Sequence, residues 1–145
     1  MSNEVCVELV AELESVRAGR LAVARMSGLS DDALAEAQLV TSELLANAIV
    51  HGGAADGEPV TLAVRNDGDG YLRIEVDDHG DFAKRLDESY LADGPGIGLR
   101  LVDELCDYWE ARAGRVTAWY PLDRAERELR RRAHRQRHLT GARLV

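Results

Sequence analysis

The chain has only two cysteines, Cys6 and Cys106, far apart in its 145 residues. That is too few for the disulfide framework of a small secreted domain. Both sit in apolar stretches and read as buried free thiols. No apolar run approaches the roughly 18 residues that cross a bilayer. The start, Met1-Ser-Asn-Glu4, has neither a basic opening nor a cleavable apolar segment, so no leader and a cytoplasmic location are expected. No internal repeat is visible. Neither a Walker A sequence nor a Gly-x-Gly-x-x-Gly is present, which argues against P-loop and Rossmann nucleotide sites. No local motif supports Ser-His-Asp or Cys-His catalysis. His134 and His138 have metal-ligand spacing, but they lie among arginines with no carboxylate or thiol nearby and read as a solvated helix face.

What is present begins with charge. The net charge of −8 is uneven: from Asp123 onward eight arginines face three acidic residues, so residues 1–122 carry −13 and the tail +5. An acidic body disfavours nonspecific nucleic-acid binding by the domain. Length and composition fit one domain over 1–122 and a basic, helical or disordered tail over 123–145.

Residues 5–10 read as a short strand. A helix follows over Val16–Arg25, with Ser15 as its N-cap and Gly28 just past its end. Ser30 caps a second helix whose first turn carries Asp31 and Asp32, and Gly52-Gly53 stops it. Val60–Arg65 and Tyr71–Val76 alternate with period two around Asn66-Asp-Gly-Asp-Gly70, a hairpin signature. Residues 81–93 lack periodicity and read as a mobile loop. A helix over Ile97–Asp107 precedes strands near Tyr108–Arg112 and Val116–Tyr120. The tail pairs Glu126 with Arg130 and Glu128 with Arg132 at helical spacing. This order predicts an α+β, two-layer sandwich: a mixed, mostly antiparallel sheet with helices on one face.

Three blocks carry chemistry. In Glu43-Leu-Leu-Ala-Asn47-Ala-Ile-Val-His51, three polar side chains recur every fourth residue and form one stripe on an otherwise apolar helix. A carboxylate one turn from an amide oxygen suits a base beside a hard-metal ligand; a solvated helix edge is the plainer alternative. In Val76-Asp-Asp78-His-Gly80, alternation puts Ile74, Val76 and Asp78 on one face, so Asp78 points with the core and Asp77 away. A buried carboxylate needs a partner; an ordinary turn is the plainer alternative here. In Gly94-Pro-Gly96-Ile97-Gly98-Leu99, alternating glycines let backbone approach phosphate oxygens as a helix begins, offering its N-terminal amides. A flexible hinge would use the same glycines.

In this order and spacing the three blocks resemble the nucleotide-binding boxes of the GHKL ATPase superfamily, over roughly residues 10 to 120. The short chain and the wording of the first block look most like the anti-sigma-factor serine/threonine kinase branch of actinobacteria. The resemblance implies the Bergerat ATP-binding fold, with ATP and Mg²⁺ as cofactors. It further implies that Glu43 is the general base, Asn47 the Mg²⁺ ligand, and Asp78 with Gly80 the adenine site. Gly94, Gly96, Ile97, Gly98 and Leu99 would form the phosphate segment. His51 matches a histidine that often ends the first block, and Thr117 matches a threonine that lines the adenine pocket; a helix-end imidazole and an inward strand residue are their structural alternatives. Partners implied are a sigma factor and a STAS-domain antagonist, with homodimers common and neither membrane nor direct nucleic-acid contact. One departure stands out: Phe82 occupies the second glycine position of the usual Asp-x-Gly-x-Gly. It favours a rival reading, a non-catalytic ATP-sensing module. A third reading, the ATP-binding half of a histidine kinase, lacks a phosphoacceptor helix because no histidine precedes Glu43.

Overall fold

The computed structural model describes residues 3–51, 58–80 and 97–123, and residues 125, 128, 129, 132, 133 and 136 of the tail; for His51, Ile97 and Gly98 it describes the backbone alone. The elements are β1 (Glu4–Val10), α1 (Ser15–Val23), α2 (Asp31–His51), β2 (Pro59–Asn66), β3 (Tyr71–Asp77), α3 (Ile97–Leu105), β4 (Tyr108–Arg112) and β5 (Arg115–Pro121). The strands form one sheet in the order β1-β2-β3-β5-β4, and every described pairing is antiparallel.

The register explains why the sheet has one buried face. Leu62, Val76 and Val116 align across β2, β3 and β5, as do Val64, Ile74 and Ala118, and all six are fully buried. The intervening positions bring Ala63, Glu75, Thr117 and Glu110 together on the other face, and likewise Arg65, Arg73, Trp119 and Tyr108. With period-two side chains, a one-residue slip would bury this charged set, so the pattern pins the pairing.

The helices cover the apolar face. Ser30 caps α2 as expected, its Oγ accepting from the Ala33 N–H at 3.1 Å. Ala37, Val40, Leu44, Leu45 and Ala48 of α2 are buried. By length and composition α2 is apolar enough to cross a membrane, with a mean hydropathy of 1.2 over Asp31–Val50. The expectation that no such segment exists is therefore corrected; the buried apolar residues of α2 are part of the core. Val50, at its end, is 59% exposed.

Three local expectations also change. Ser15 is the first residue of α1 and does not cap it; Glu14 holds the cap position without a side-chain hydrogen bond. The preceding turn does the capping, because the Ser15 and Val16 N–H groups donate to the Glu12 and Leu13 carbonyls. Gly28 (φ +73) lies beyond the Ala24 C-cap, in the connection to α2. Cys6 is exposed while Cys106 is buried, because alternation along β1 turns Val5 inward and its neighbour outward. The Gly52-Gly53 stop, the loop over 81–93 and the Glu126–Arg130 pair lie outside the described residues. In the tail, Glu128 and Arg132 pair at 3.5 Å, and the described residues are helical and exposed, Leu129 by 66%.

Gly19, mid-helix in α1, costs helix stability in exchange for a close approach. A Cβ there would collide with Leu45 Cδ1 of α2 and reach Leu62 Cδ2 at 3.5 Å. Gly19→Val is expected to destabilise the domain by about 1–3 kcal/mol through overpacking. An unchanged urea midpoint would show that α1 simply shifts away.

Candidate functional site

The site is built at one end of the sheet, and two contacts of α2 show how. Near its start, Glu36 accepts a hydrogen bond from Tyr120 Oη at 2.6 Å, at the end of the sheet where Leu72 pairs with Tyr120. Further along, Leu45 meets the same point on α1 as Leu62, which pairs with Val76 at the other end of β3. α2 therefore runs toward the end that carries Asp78, and Glu43, Asn47 and His51 are delivered there. Glu43 and Asn47 are half-buried along the edge of α2, and among the described residues neither side chain has a hydrogen-bond or ion-pair partner. His51 is the last residue of the helix.

α3 arrives from the opposite direction. Its C-terminal side is tied to the far end of the sheet: Asp107 N–H donates to the Trp119 carbonyl, and Tyr71 Oη donates to the Asp107 carboxylate at 3.0 Å. Trp109 Nε1 donates to Asp103 at 2.6 Å and holds the helix against β4. Because only Cys106 and Asp107 separate α3 from β4, the chain reverses, and the start of α3 points to the Asp78 end. Its first amides have no partners inside the helix, and the dipole there favours an anion. Leu99 is a core side chain at 5% exposure, so it can offer only main-chain groups. Gly94, Gly96 and Phe82 lie outside the described residues.

Asp78 is 2% exposed and continues the inward alternation of Ile74 and Val76. It accepts from the Gly80 N–H through Oδ1 at 2.8 Å, and its own N–H donates to the Gly114 carbonyl at 3.0 Å. Asp77 points to the other face, where Arg115 pairs with it at 3.4 Å and with Glu75 at 3.1 Å. The turn between them is held from β2 as well. His79 takes a left-handed backbone (φ 60), its N–H donates to Asp77 Oδ1 at 2.8 Å, and its Nε2 lies 3.2 Å from Thr61 Oγ1. Ordinary residues avoid that conformation, so the tethers from Asp77 and Thr61 maintain it.

Thr117 does not join the site. It is 6% exposed, but register places it between Glu75 and Glu110, on the face opposite Asp78. A single residue of parity separates it from the face that Val116 and Ala118 share with Asp78. That outer face holds a cleft of about 440 Å³ over Arg73, Glu75, Glu110, Arg115 and Trp119, and it contains none of the three blocks. At its margin the hydrogen bond to Glu110, and then that carboxylate's charge, raise the pKa of the Tyr108 phenol.

A hard cation fits the donor set at the α2 edge. Mg²⁺ keeps several waters and takes one or two protein oxygens beside substrate phosphates, which a single amide at Asn47 can supply. Among the described residues no group of three or more His, Cys, Asp or Glu side chains could hold a metal by itself.

Gly114, between β4 and β5, also meets this end of the sheet, where its carbonyl accepts from the Asp78 N–H. Its contact with the Asp78–Gly80 turn joins positions distant in the chain and leaves no local signal.

Comparisons with known proteins agree with this architecture. Residues 8–118 match the family model described as the histidine kinase-like ATPase domain. Among solved structures, the chain is similar to the crystal structure of the RsbU and RsbW domains of Rv1364c from Mycobacterium tuberculosis. The TM-score is 0.59 at 23% identity, covering 82% of this chain and 32% of that one. The chain thus spans about a third of that protein's chain, and the likeness is one of fold. No curated protein matches the sequence.

Proposed function

The chain belongs to the histidine kinase-like ATPase domain family, and from that premise we propose that it is a cytoplasmic, Mg²⁺-dependent protein serine/threonine kinase of the anti-sigma type. Its phosphate acceptor in this reading is a hydroxyl of a small STAS-domain antagonist, and its regulatory target is a sigma factor. The observation that carries the proposal is the convergence of the half-buried Glu43 and Asn47 edge, the buried Asp78 turn and the start of α3 at one end of the sheet. The RsbW domain named in the similar structure supports the choice of branch.

Phosphoryl transfer depends mainly on positioning and charge neutralisation. Asp78, on the core side, takes the adenine amine as hydrogen-bond donor. The amides at the start of α3 face the phosphates. Mg²⁺, when bound through Asn47, supplies neutralisation of phosphate charge. Glu43 accepts the proton of the acceptor hydroxyl as its oxygen bonds to the γ-phosphorus; the bond to the bridging oxygen breaks and ADP leaves.

The rival, a non-catalytic ATP-sensing module, is favoured by Phe82 in place of a glycine. Radiolabelled ATP incubated with the protein and candidate STAS-domain proteins separates the two. Label on a serine or threonine of the STAS protein is the expected result. Nucleotide binding without transfer to any STAS protein would establish the rival.

A further inference from the structure

We infer that Gly114 is a positioning residue for base recognition: the β4–β5 turn is the floor on which the Asp78–Gly80 turn rests, and only a residue without a side chain lets the two meet. The inference rests on the proposed reading of Asp78 as the adenine acceptor.

The hairpin closes between Arg112 and Arg115 through Ala113 (φ 46) and Gly114 (φ 87), a two-residue turn with both φ angles positive. Backbone conformation alone explains a glycine or asparagine there. Space explains why it must be glycine. A Cβ on Gly114 would overlap the Gly80 carbonyl oxygen and lie 2.8 Å from the Gly80 nitrogen and 3.0 Å from Asp78 Oδ1. Two of these obstacles are backbone atoms, which cannot swing aside as a side-chain tip can.

The contact is also bonded. The Gly114 carbonyl accepts from the Asp78 N–H, and the Gly80 N–H is held by Asp78 Oδ1. One turn therefore sets the main chain of the recognition residue, and the neighbouring glycine sets its carboxylate. Lifting Gly80 would break that second bond and rotate the carboxylate away from the base.

The protein contains its own controls. Gly68 (φ +78) and Gly70 (φ +89) have equally left-handed backbones, and a Cβ on either meets nothing within 4 Å. Gly70→Ala therefore carries the conformational cost without the collision. Gly114→Ala carries both.

The test measures ATP and GTP affinity by calorimetry for the wild type, Gly114→Ala, Gly70→Ala and Asp78→Asn. General loss of structure lowers both affinities together, whereas a displaced Asp78 lowers the preference for adenine. Gly114→Ala is expected to reduce the ATP-to-GTP preference roughly ten-fold, as for one lost charge-assisted hydrogen bond, with Gly70→Ala keeping the wild-type ratio. A wild-type ratio in Gly114→Ala, beside a reduced one in Asp78→Asn, overturns the inference and spares the reading of Asp78. A wild-type ratio in Asp78→Asn overturns both. If the alanine variant does not fold, Gly114→Asn replaces it, since asparagine tolerates a left-handed backbone but still collides. If that also fails, the wild type decides: the Gly114 amide resonance should move on titration with ADP, and an unmoved resonance overturns the inference.

Discussion

Replacing Glu43 by alanine is expected to lower phosphate transfer to the partner by roughly 10²–10⁴-fold, the usual contribution of a positioned general base, while nucleotide affinity stays near wild type. Glu43 sits half-buried on α2 and has no protein partner among the described residues. Its removal therefore orphans no buried group among the described residues. The fold should be unaffected, and thermal denaturation alongside the assay checks this. Asn47→Ala should behave differently although it lies one turn away on the same stripe. If the amide holds the metal, it anchors the phosphates as well as the chemistry, and both binding and transfer are lost. Single-turnover transfer from radiolabelled ATP, with calorimetric titration of the same samples, separates the two roles. Transfer by Glu43→Ala at the wild-type rate would remove Glu43 from the mechanism.

Asp78→Asn is expected to weaken ATP binding most among conservative changes, by on the order of 1.5–3 kcal/mol or ten-fold and more. The substitution preserves volume at a position only 2% exposed, so the core around Ile74 and Val76 need not repack. What changes is polarity. The asparagine must keep its one carbonyl oxygen toward the Gly80 N–H that Oδ1 now accepts, and its NH₂ then faces the adenine amine, donor against donor. A titration indistinguishable from wild type, at matched Mg²⁺ and salt, would mean that Asp78 is a purely structural carboxylate.

The two faces of the sheet show how far local pattern could be read. The alternation of Leu72, Ile74 and Val76 is explicit in the sequence, and carrying it two residues further put Asp78 with the core, where it lies. The same reasoning offered no guide at Thr117. β5 has buried residues on both faces, Val116 and Ala118 on one and Thr117 on the other. Burial there carries no parity signal, and only pairing with Glu75 and Glu110 decides its side. The cap at Ser15 failed for a related reason: its backbone bonds are met by a turn that composition does not announce.

The sequence by itself determined the elements, the inward face of each central strand and the polar stripe on α2, because each depends on spacings within a few residues. It also carried the family, since glycines and carboxylates in three ordered blocks are a local record of phosphate and base chemistry. Tertiary structure alone decided which end of the sheet the blocks share, which face Thr117 takes, and that Gly114 supports the turn of Asp78 and Gly80. Those facts depend on pairings between β3 and β5 and on the packing of α2 over the sheet. Such contacts join residues far apart in the chain, where no periodicity reaches.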